Sequence, residues 1–157
     1  MKLFKSVFSL AICMLTIAAT SVWGAETATI SVTVSLESVI AVSVEPNNWA
    51  INMITLGSST EPQDFTATIG NTATKIEIKA SNANSGWVLS DIPAQDSFNV
   101  SILDPDLDLS TVYQELGGSI PAYGQKNFSM VYTAPVSDTK GGGVDQSFNV
   151  TLKASAP

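Results

Sequence analysis

The chain has 157 residues with one cysteine, no histidine, and seven lysines and arginines against fourteen acids, a formal charge of −7. Without histidine there is no Ser-His-acid triad and no histidine metal site. An acidic surface repels phosphate backbones and anionic lipids, so nucleic-acid binding and peripheral membrane binding are disfavoured.

Residues 1–24 read as a secretory signal peptide. Lys2 and Lys5 precede an apolar run from Val7 to Ala19, too short to span a bilayer, and Val22-Trp23-Gly24 offers short side chains at the cleavage positions. The lone cysteine, Cys13, lies inside this run. Ile12 before it is too bulky for a lipoprotein cleavage site, so no lipid anchor is expected. Export to the periplasm, the cell surface or the medium follows, with no membrane insertion of the mature chain. Residues 25–157 are expected to form a single domain that holds itself together without disulfides. From Ala25 onward five lysines face fourteen acids, a formal charge of −9.

Beyond the signal, β-branched and aromatic residues alternate with polar ones at period two, the pattern of strands with one face on a core. Ile30, Val32, Val34 and Leu36 alternate with Thr29, Ser31, Thr33 and Ser35, predicting one long first strand over Thr27–Leu36. Val39 to Val44 predicts a second strand or a continuation of the first past a bulge, broken at Glu45-Pro46-Asn47-Asn48 because proline donates nothing to a ladder. Trp49 to Ile54 predicts a short irregular strand closed by Leu56-Gly57-Ser58-Ser59. Phe65 to Ile69 follows, and then Lys75 to Ala80, with Ile76 and Ile78 set against a charged solvent face of Glu77 and Lys79. Gly86 to Leu89, Phe98 to Ile102, Phe128 to Tyr132 and Phe148 to Leu152 supply the rest. Asp104–Gln125 and Ser137–Asp145 read as long connections, the second carrying a flexible Gly141-Gly142-Gly143 tip. About eight or nine short strands without helical periodicity predict an all-β, immunoglobulin-like antiparallel sandwich.

Val44-Glu45-Pro46-Asn47-Asn48-Trp49-Ala50-Ile51, Ile54 to Thr60 and Phe65 to Thr72 together resemble bacterial Ig-like domains of the abnormal-spindle-like group. In that group a proline-aromatic strand, a Leu-Gly-Ser turn and an Asn-Thr turn recur, and the resemblance covers Val39 to Ala80. Trp87-Val88-Leu89 is also similar to the tripeptide of the Trp-x-Leu surface proteins, whose second copy has no counterpart here, since Phe148-Asn149-Val150-Thr151-Leu152 lacks tryptophan. Both resemblances imply a non-catalytic envelope or extracellular module.

Two constellations offer chemistry. Asp104, Asp106, Asp108 and Glu115 fall at positions one, three, five and twelve of a calcium-binding loop, which would staple the loop with a hard cation. Leu109 stands where that loop needs glycine, so the competing reading is an Asp-Pro turn with solvated acids. Trp49 and Trp87 would form a stacking platform for sugar rings, or fill the core as sandwich tryptophans commonly do. No cofactor is expected beyond that calcium. The sequence therefore predicts a non-enzymatic exported structural or interaction module, whose partners are other surface proteins or itself through strand pairing. A secreted glycan-binding module is the alternative. Strand pairing is suggested by Thr27–Leu36, which is long, flat and uncharged.

Overall fold

In the computed structural model the alternating rows from Val42 onward become strands, and their apolar faces meet in one core. The structure describes residues 31–35, 37–52, 54–140 and 144–157. The predicted signal peptide and the Gly141–Gly143 tip lie outside them. The chain divides into two compact units, Met1–Leu36 and Glu37–Pro157. In the first, residues 31–35 are exposed and belong to no strand, so the predicted first strand is not formed over them. An alternating row becomes strand only when a neighbour pairs with it, and no ladder reaches these residues.

The second unit is a β-sandwich. Its described strands are β1 (Val42–Glu45), β2 (Gln63–Ile69), β3 (Thr74–Ala80), β4 (Val88–Leu89), β5 (Ser97–Leu103), β6 (Asp106–Asp108), β7 (Gln114–Ile120), β8 (Gln125–Thr133) and β9 (Val150–Ser155). One sheet runs β1-β2-β8-β5-β4 with β6 also on β5, and the other runs β7-β3-β9. Every ladder is antiparallel except the short β4–β5 pair.

The inward side chains follow the period-two pattern. Phe65, Ala67 and Ile69 from β2, Phe98, Val100 and Ile102 from β5, and Phe128, Met130 and Tyr132 from β8 face Ile76, Ile78 and Ala80 from β3 and Leu116 and Ile120 from β7. Core aromatics touch in pairs: Phe65 stacks on Phe128 with centroids 5.6 Å apart, and Phe98 lies 5.7 Å from Tyr132.

Two expected elements differ. Trp49 to Ile54 is not a strand at its described residues, although Trp49, Ile51 and Ile54 pack on the core as expected of apolar side chains following a proline break. Asp104–Gln125, read as a connection, contains β6 and β7. β7 keeps Leu116 and Ile120 inward, but Gly117 and Gly118 stand between them and its register on β3 shifts near Ile76. Glycines erase the alternation from the sequence while the backbone still pairs.

This crossing also closes one side of the sandwich. Leu109 is buried, its N–H donates to Val100 O at 2.8 Å, and the next residue's carbonyl, Ser110 O, accepts from Ala80 N at 3.0 Å. One connection is thereby stitched to both sheets.

Candidate functional site

The opposite side is built differently. β1 pairs with β2 and β9 pairs with β3, and among the described residues neither has a strand on its other edge. In β2, β3, β5 and β8 the inward side chains are buried. Val42 and Val44 of β1, and Val150 and Leu152 of β9, are inward but only half-buried. The apolar faces of two edge strands thus sit beside each other with solvent reaching both, an arrangement that natural sheets commonly cover.

Between them lies a cavity of about 220 Å³ whose floor is the core itself, Phe65, Phe128 and Met130, and whose walls include Val44, Trp49 and Leu152. None of its lining residues is charged, in a chain of net charge −7. A second hollow of about 160 Å³ shares Phe148 with it and continues past Ile54, Trp87 and Tyr132. Gln146 lines this second hollow with both polar atoms of its side-chain amide buried and no hydrogen-bond partner among the described residues. A buried amide without a partner is costly, and an added backbone would supply both a donor and an acceptor. Together these features make a seam along the β1 and β9 edges.

The chain enters β1 under tight control. Asn71, in the β2–β3 turn, accepts from Val39 N at 2.6 Å through Oδ1 and donates from Nδ2 to Glu37 O at 2.9 Å. Ser38 Oγ and Thr72 Oγ1 lie 2.6 Å apart. Gly70 permits the approach, because a Cβ there would stand 2.7 Å from Val39 O. Asn71→Ala removes both anchoring bonds, so the expected result is a loss of roughly 1–2 kcal/mol in urea unfolding. Faster hydrogen exchange at Val39 N–H should accompany it.

The residues singled out in the sequence are placed as follows. Asp104 sits in the tight β5–β6 turn, and Asp106 and Asp108 are exposed on β6. Asp108 Oδ1 accepts from Asn99 Nδ2 at 3.0 Å, and the same buried amide also donates to Ser90 O at 3.1 Å, tying the outer face of β5 to its covering loop. Glu115 lies in the other sheet, on β7, opposite Glu77. Among the described residues no three His, Cys, Asp or Glu side chains converge as a metal site would require. The calcium loop's first three acids therefore share a hairpin, and the fourth does not join them.

Trp49 meets Phe65 edge-to-face at 6.0 Å, and Trp87 donates from Nε1 to Asp138 Oδ1 at 3.1 Å. Both are half-buried against the core. Each lines the seam rather than a flat outer platform, Trp49 in the first hollow and Trp87 in the second. Phe148, Val150 and Leu152 are the site residues that sequence reading missed. Their alternation predicts a strand, formed from Val150 onward, but an inward row looks the same in a covered strand and in a bare edge strand.

Charged groups elsewhere are ordinary surface features. Lys153 Nζ bonds Glu77 Oε2 at 2.8 Å, and this partner raises the lysine's pKa above its usual value. Such an exposed pair adds little stability.

No protein family and no curated protein sequence matches the chain. Among solved structures, a chaperone-usher pilus, described as revealing the molecular basis of rod uncoiling, superposes with a TM-score of 0.35 at 14% identity. The alignment covers 83% of this chain and 96% of that one. The likeness is too loose to carry an argument.

Proposed function

We propose that this chain is a non-catalytic structural subunit, exported to a bacterial envelope or surface, which joins its partners through its sheet edges. The observation that carries the reading is the pair of edge strands, β1 and β9, each unpaired on its outer edge among the described residues, lying side by side over an uncharged hollow floored by Phe65, Phe128 and Met130 and rimmed by Asn47, Asn48 and Asn149. Strand addition at such an edge supplies main-chain hydrogen bonds for affinity and alternate side-chain pockets for specificity.

The chemistry of the chain agrees with a role outside catalysis. It has no histidine, and its single cysteine falls within the predicted signal. An acidic mature chain keeps the free subunit soluble until edges meet. The half-buried tryptophans, one bonded to Asp138 and the other packed on Phe65, serve as walls of the seam in this reading.

The test is to fractionate cells that export the chain and to image the protein-containing fraction by electron microscopy. Filaments, sheets or other regular multimers are the expected result. A protein recovered wholly as free monomer, at every concentration reached, would sink the proposal.

A further inference from the structure

We infer that the seam between β1 and β9 is the binding site for residues 27–36 of a second copy of this chain, inserted as an added strand. This rests on the edge-pairing reading above and names both the occupant and its seat. Four observations lead to it.

The first is pattern. Thr27–Leu36 carries Ile30, Val32, Val34 and Leu36 on one face at period two, four apolar positions in seven residues. Phe148, Val150, Leu152 and Ala154, on and just before β9, likewise present four inward, half-buried positions in seven residues. A strand laid along β9 would match them one for one, because both rows advance about 6.6–6.8 Å per pair of residues. The second is charge. Thr27–Leu36 contains no charged residue, and neither does the lining of the first hollow. A cationic or acidic ligand would find no counter-charge there.

The third is availability. Val32 and Val34 are 76% and 73% exposed, and the described residues of the segment pair with nothing. An uncharged alternating row left open to water is a template for a sheet edge. The unpartnered amide of Gln146, at the far end of the seam, is the kind of group that an incoming backbone would satisfy.

The fourth is chain direction, which sets a second copy against a tight return of the same chain. Asn71 fixes Glu37 O and Val39 N on either side of Ser38. A tight return of the same chain along β1 would be a two-residue hairpin at Glu37-Ser38, and such turns need positive φ. The described non-glycine residues with positive φ are Asp96 and Tyr123. Glu37 and Ser38 are not among them, so the backbone there does not make that hairpin. A segment from one copy entering the seam of the next is a head-to-tail contact, which propagates as a chain or ring.

The test uses residues 25–157 and the variant Val32→Lys/Val34→Lys, whose substituted side chains are exposed, so the isolated subunit should keep its fold and its circular-dichroism spectrum. Sedimentation should show multimers for the parent. For the variant, association should be weaker on the order of 100-fold or more, since a lysine set against the inward row of Val150 and Leu152 forfeits the burial and adds desolvation. Hydrogen exchange on the parent should show β9 amides protected upon assembly, and this measurement needs no seam mutation that risks the fold.

A second mixture sharpens the result. Leu152→Lys spoils the seam and keeps the segment, so mixed with the Val32→Lys/Val34→Lys chain it should give a one-to-one dimer and nothing larger. If Leu152→Lys does not fold, exchange protection on the parent decides alone. Assembly of Val32→Lys/Val34→Lys as tight as the parent would overturn this inference while leaving edge pairing in place. So would a monomeric parent with residues 27–36 protected, which would mean the same chain fills its seam. A parent that neither assembles nor protects these residues would remove both this inference and the reading it rests on.

Discussion

Phe98→Ala should cost about 3–5 kcal/mol of folding stability, the range for a fully buried phenylalanine whose cavity cannot collapse. The ring is 0% exposed and sits between Tyr132 of β8 at 5.7 Å and Phe148 ahead of β9 at 4.9 Å. It therefore links the wide sheet to the segment that leads into the narrow one. Removing it leaves Phe148 unsupported at the junction of the two hollows, so the seam should loosen with the core. In a domain of this size the loss corresponds to a fall of roughly 10–20 °C in Tm. The contrast is Leu103 at the end of the same strand, 51% exposed, where alanine should change stability by no more than about 0.5 kcal/mol. Equal effects at the two positions, measured by urea unfolding, would show that burial is not what makes Phe98 matter.

The strands that were legible in the sequence are those whose inward row is unbroken. Phe65 to Ile69, Lys75 to Ala80 and Phe128 to Tyr132 alternate cleanly, and their predicted solvent and core faces are the observed ones. β7 was not legible, because Gly117 and Gly118 carry no side chain to mark a face and the bulge at Ile76 shifts the register. β6 is only three residues long, and two of them are aspartates. In the opposite direction, Thr27–Leu36 reads as the clearest strand in the chain, yet its described residues have no partner. Alternation records what a segment is fit for, while pairing depends on a neighbour that the segment's own residues do not specify.

The same distinction governs the candidate site. A seam is a property of two strands distant in sequence, β1 near residue 44 and β9 near residue 152, brought side by side by sheet order. Each inward row was visible, but their half-burial was not. The acids of the Asp104 hairpin illustrate the reverse case. Their spacing is a local signal, and the structure sends Glu115 to the other sheet because the chain crosses at Leu109 and Ser110. Trp49 and Trp87 both pack half-buried against the core, and their place along the seam needed the fold.

Tyr132 should make the protein lose stability as pH rises above about 10, and the sign follows from its surroundings. The residue is 4% exposed in β8, and its ring stacks on Phe148 with centroids 5.9 Å apart. Burial disfavours the phenolate and pushes the pKa up from 10.0 to about 12. Below pH 10 the folded and unfolded chains both keep the proton, and the contribution is fully present. Between 10 and 12 the unfolded chain releases it while the folded one holds it, so stability falls by about 1.4 kcal/mol per pH unit and about 3 kcal/mol in all. Tyr132→Phe keeps the ring contacts and removes the proton, so its urea midpoint should decline less steeply than the parent's over that window. Lys153 contributes in the same direction, because its partner Glu77 raises its pKa and that stabilisation disappears as the ammonium deprotonates. The two causes separate by salt. The exposed Lys153–Glu77 pair is screened at high ionic strength, whereas a phenol enclosed by Phe98 and Phe148 is not. An alkaline slope that persists in about 0.5 M salt and disappears in Tyr132→Phe assigns the effect to the buried ring. A slope that salt abolishes, or that Tyr132→Phe retains in full, would assign it elsewhere.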